Sequence, residues 1–104
     1  MLATHIPQFL RAVAIAAAVL VGACQSAPVQ EMSDARQAIS VAQEAGAEQH
    51  AASLMQLAVD RLQTAERFLS EHQYAQARQD AVSAKKTALE ALQRTQASIE
   101  AEER

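Results

Sequence analysis

Apolar and polar positions follow two different rules along this chain. Residues 12–23 are apolar or glycine without interruption. The run is about 12 residues long, within the roughly 7–15 of a secretory h-region and short of the roughly 20 that a membrane-spanning helix needs. Arg11 is the only strong positive charge before it, with His5 a weak second. Past residue 32 the pattern becomes helical. Ser33 is an N-cap type residue with Asp34 in the first turn, and Ala35, Ala38, Ile39, Ala42 and Ala45 fall on one narrow stripe. This predicts a first helix over 33–45. Gly46 is its expected stop, because glycine caps helix C-termini and costs about 1 kcal/mol inside them; a helix running through Gly46 is the alternative.

A second helix is predicted over 51–71, with Leu54, Leu57, Ala58, Leu62, Ala65, Phe68 and Leu69 on its apolar face. It carries most of the large apolar side chains and is the expected centre of the core. Glu71, His72, Gln73 and Tyr74 interrupt the period and read as a tight, direction-reversing connection. A third helix is predicted over 75–101. Along it Ala77, Ala81, Ala84, Ala88, Ala91 and Thr95 recur at alternating steps of four and three, a face that lets helix axes approach closely. Lys86, Glu90 and Arg94, then Glu100 and Arg104, are spaced for i, i+4 pairing. The expected fold is all-α: an antiparallel helical hairpin or a three-helix bundle. Residues 24–32 lack periodicity and read as a tether of at most roughly 25–30 Å.

Composition narrows the picture. Removing the first 23 of 104 residues leaves 81, room for one small domain. Half of the chain is hydrophobic, but nearly half of those residues are alanine, and only 3% of the chain is aromatic, so the core must be built from small side chains. The net charge is −3, and losing Arg11 makes it about −4. That balance argues against nucleic acid or anionic headgroups as partners of a basic face. The one basic doublet, Lys85-Lys86, reads as a solvated helix face.

The one stretch with chemistry is Val21-Gly22-Ala23-Cys24, which closes the apolar run and holds the only cysteine. It resembles a bacterial lipobox, where a peptidase cuts before a cysteine that carries a thioether-linked diacylglycerol. Lipidation of Cys24 explains an unpaired cysteine in an oxidising compartment. An incidental thiol after an ordinary secretory signal, and an uncleaved anchor, are the alternatives. Two or more acyl chains give stable attachment, at about 0.8 kcal/mol per buried methylene. In proteins with this motif an aspartate after the cysteine commonly signals inner-membrane retention. Gln25 stands there instead, which by this resemblance implies the periplasmic face of a Gram-negative outer membrane.

Longer motifs follow the anchor. Asp34-Ala35-Arg36-Gln37-Ala38-Ile39 leads to Ala42 and Ala45-Gly46-Ala47. Leu57-Ala58-Val59-Asp60-Arg61-Leu62 leads to Ala65-Glu66, and Tyr74-Ala75-Gln76-Ala77-Arg78 to Ala81, Ala84, Ala88 and Ala91. Together they resemble the small envelope lipoproteins of Gram-negative bacteria that carry the domain of unknown function 4398. The resemblance spans nearly all of the chain after Cys24. It implies a helical periplasmic domain without an established activity. Some relatives continue into a peptidoglycan-binding domain; this sequence stops at Arg104 without one, which leaves direct murein binding in doubt.

No enzyme is expected. His50 and His72 lie in separate segments without ligand-like partners, so neither a metal nor another cofactor is expected, and no phosphate loop or nucleophile elbow occurs. Phe68 and Tyr74 read as packing anchors. Tyr74-Ala75-Gln76-Ala77 resembles one tetratricopeptide helix, but no second copy follows at a period of about 34 residues. The leading expectation is a structural or adapter lipoprotein. Its partners would be the membrane, through acyl chains on Cys24, and another envelope protein, through a helix face, with a homo-oligomer possible in principle. A coiled-coil spacer between outer membrane and cell wall, and a periplasmic chaperone-like binding module, are the alternatives.

Overall fold

The computed structural model describes residues 26–104. Among them the chain forms four helices and no strand: α1 Val29–Ala45, α2 Ala47–His50, α3 Ala52–Ser70 and α4 Tyr74–Glu103. The fold is an all-α helical bundle.

The first helix starts four residues before the expected N-cap at Ser33. Pro28 takes the capping position with φ −78°, where the missing proline N–H is no loss because no intrahelical acceptor exists there. The Met32 N–H donates to the Pro28 carbonyl at 3.0 Å, and Glu31 lies in the first turn, near the positive end of the helix dipole. Pro28 and Met32 are both buried. Residues 28–32 are therefore part of the bundle, and the expected tether through residue 32 is too long. The cue was tertiary: Met32 is one seam step before Ala35.

Gly46 ends α1 as expected. At φ +96° it lies in the left-handed region, and its N–H caps the carbonyls of Ala42 and Gln43. It does not reverse the chain. One further turn, α2, continues beside α4, with His50 Nδ1 3.2 Å from Ser98 Oγ. Reversal follows at Ala51, whose φ of −147° breaks the helical path. The second expected helix thus begins at Ala52. It ends at Ser70, where His72 takes φ +61°. The His72 N–H donates to the Leu69 carbonyl and the Gln73 N–H to that of Phe68. This double bond pattern with a left-handed residue is a Schellman cap, formed here without glycine.

Pairings between helices give their directions. Arg78 meets Glu31, 47 residues away, and His50 meets Ser98, 48 away. Lys85 meets Asp34 between them, so the pairings advance in the same direction and the run from α1 through α2 is parallel to α4. The short turn over 71–73 makes α3 antiparallel to α4. Every pair of helices is in contact, and α4 shares the most extensive contact with its neighbours, so it, and not α3, is the centre of the bundle.

The core is mostly alanine. Ala77, Ala81, Ala84, Ala88, Ala91 and Thr95 of α4 are all fully buried, as the spacing predicts. Ala35, Ala38, Ile39 and Ala42 are buried on α1, and Ala45 is half-buried. On α3 the buried positions are Met55, Ala58 and Ala65, while Leu57, expected inside, is 41% exposed. Leu54, Leu62 and Leu69 pack at the edges of the buried clusters. Alanine seams bring backbones too close for leucines to enter between them. The expected Lys86–Glu90 and Glu100–Arg104 pairs do not form; Arg94 meets Glu90 at 3.0 Å.

Candidate functional site: an arginine-held entry end and a groove

Val21, Gly22, Ala23 and Cys24, the residues expected to carry lipidation, lie outside the described residues. The structure does describe the point at which the chain enters the bundle after them. Arg78, one turn into α4, donates from Nη2 to the Ser26 carbonyl and from Nε to Glu31 Oε1, both at 3.1 Å. One guanidinium thus holds the entering strand and the first turn of α1 against the start of α4. Such planar, multi-donor binding is what arginine supplies and lysine does not. In the sequence Arg78 stands out only as part of a motif; its place one residue after the seam position Ala77 is the available cue.

A second arginine pins α3 to α4. Arg61 donates from Nη1 to Ser83 Oγ and, at 3.0 Å, to Thr87 Oγ1. Thr87 in turn donates to the Ser83 carbonyl at 2.9 Å, and fully buried Thr95 to that of Ala91 at 2.8 Å. Among the described residues no buried side-chain polar atom lacks a partner.

Between α1 and α4 runs a shallow groove of about 230 Å³ lined by Asp34, Gln37, Ala38, Val41, Lys85 and Leu89. Val41 and Leu89 are about 40% exposed, at 42% and 41%, and Val82 continues the apolar rim at 38%. Lys85 crosses the groove to Asp34 at 3.9 Å, so one half of the basic doublet is a cross-helix contact and not merely a solvated charge. Lys86 makes no ion pair among the described residues.

His50 and His72 sit at opposite ends of the bundle. His50 Nδ1 faces both Ser98 Oγ, at 3.2 Å, and Glu102 Oε1, at 3.9 Å. A nucleophile relay needs the serine and the carboxylate on different ring nitrogens; here both address one, so the trio is not in series. The His72 ring lies 5.9 Å from that of Tyr74, centroid to centroid. Among the described residues no three His, Cys, Asp or Glu side chains group as a metal site, and no helix is long and apolar enough to cross a membrane.

Comparison with known proteins finds no matching family model, curated protein or solved structure. The resemblance to the domain of unknown function 4398 rests on the sequence motifs alone.

Proposed function

We propose that this chain is a lipid-anchored envelope lipoprotein with a structural or adapter role and no catalytic step. Cys24 carries the lipid after cleavage behind Ala23, and the outer membrane, on its periplasmic face, is the compartment that Gln25 implies. The observation that carries the reading is the lipobox-like Val21-Gly22-Ala23-Cys24 placed only four residues before Pro28, where a packed bundle begins. The α1–α4 groove is the adapter surface: it combines exposed valine and leucine with charges of both signs, the composition of a protein-facing patch more than of a small-molecule pocket. A coiled-coil spacer is less well supported, because the alanine seams of α1, α3 and α4 face one another within a single chain.

The first test is intact mass of the protein extracted from membranes, beside Cys24→Ala. A mass fitting residues 24–104 plus acyl chains, lost in the variant, supports the anchor; an unmodified or uncut mass overturns it. The second is in-cell photo-crosslinking from Val41, Val82 and Leu89. A discrete protein adduct from these sites is expected, and no adduct from any of them removes the groove from the reading.

A further inference from the structure

The described chain contains two aromatic residues of the phenylalanine and tyrosine type, Phe68 and Tyr74. They flank one turn, over 71–73, at one end of the bundle. The same end receives the chain from Cys24, because Arg78, four residues after Tyr74, holds Ser26 and Glu31. Val29, the most exposed large apolar residue among those described at 72%, lies there too. The opposite end is formed by residues 46–51 with Ser98 and the charged close of α4, and carries His50 but neither phenylalanine nor tyrosine.

Length makes this placement consequential. Cys24 stands two residues before Ser26 and four before buried Pro28. Fully extended, four residues span about 13–14 Å. A headgroup layer is roughly 5–8 Å thick on each side of the hydrocarbon. A bundle fastened at Ser26 therefore has little room to leave the surface that the Cys24 acyl chains enter, and the end nearest them is the aromatic one. Tyrosine places its ring among headgroups and its hydroxyl in water. Phe68 is half-buried and presents the rest of its ring beneath the Arg67 guanidinium, 5.3 Å from the ring centroid, and that cation is of the sign that lipid phosphates attract.

Resting on the lipoprotein reading above, we propose that the α3–α4 turn end is a lipid-interface surface. Val29, Phe68, His72 and Tyr74 sit at the headgroups, and α4 rises away from the membrane. Leu89, 15 residues beyond Tyr74, then holds the groove about 22 Å above the turn.

The experiment uses the lipidated chain purified from membranes and reconstituted in vesicles of phosphatidylethanolamine and phosphatidylglycerol. Tyr74 is the only tyrosine and there is no tryptophan, so its emission reports this end alone. Replacing the lipids with versions brominated near the headgroup is expected to cause loss of Tyr74 emission. A reporter at the far end, Ile99→Tyr in a Tyr74→Phe background, is expected to keep its emission. Equal quenching of the two, or none at Tyr74, overturns the orientation. Vesicle flotation separates the failures. A wild-type protein that floats while Cys24→Ala does not, yet shows unquenched Tyr74, sinks the orientation and leaves the anchor standing. A wild-type protein that does not float sinks both.

Discussion

His72 holds a backbone conformation that suits glycine. An L-residue in the left-handed region costs roughly 1–2 kcal/mol, of which glycine's greater freedom in the unfolded chain gives back about 0.5–1. His72→Gly is therefore expected to stabilise the bundle by up to about 1 kcal/mol and raise Tm by a few degrees, measured by thermal unfolding; a lower Tm would mean that the His72–Tyr74 ring contact outweighs the strain. That histidine's role was not legible from its type, since nothing in Glu71-His72-Gln73 advertises a left-handed cap. Pro28 misled in the opposite sense. Proline in a short stretch without periodicity reads as linker, and only the burial of Pro28 and Met32 shows that the bundle has begun. Gly46 was legible as a cap because its conformational need is local; the actual reversal at Ala51 is set by packing along α4 and leaves no mark in residue type.

At the scale of elements the spacing of alanines carried most of the information. Every α4 seam position from Ala77 to Thr95 is buried as its steps of four and three imply. The same steps run from the cap residue Ala51 through Met55, Ala58, Leu62, Ala65 and Leu69 of α3, and from the cap residue Pro28 through Met32, Ala35, Ile39 and Ala42 of α1. On α3 the larger leucines drew the stripe off by part of a turn, which is why Leu57 was expected inside and Met55 was missed. Side-chain size was the wrong guide in a core whose seams admit mainly alanine. Ala84, fully buried beside Met32, Ala35, Ala65 and Ala81, tests this. Ala84→Leu is expected to destabilise the protein by about 1–3 kcal/mol through overpacking. Denaturant unfolding against Ala84→Gly, whose cost is about 1 kcal/mol of helix propensity, separates loss of space from loss of helix preference.

For the whole molecule, the order of contacts sets which surfaces are available. α4 packs against every other helix, so its outward side between Val82 and Leu89 becomes one wall of the groove, and α1 the other. The lipobox-like motif was legible in the sequence, but the groove was not: it exists only because α1 and α4 run parallel, and no local signal in either helix states that direction. The turn over 71–73 fixes only the neighbouring pair.

Arg78 also determines how the molecule would carry a pull. If a membrane holds Cys24 and a partner holds the groove, tension arriving along the strand reaches Ser26 first. There it meets a side chain rooted in α4, the longest helix at 30 residues. The force is passed sideways into α4 before it reaches the first turn of α1, and the α1–α4 seam is loaded in shear, with all its contacts sharing the strain, instead of being peeled open from one end. Seen this way the guanidinium is a strain relief, the fitting that keeps a tugged cable from tearing at its socket.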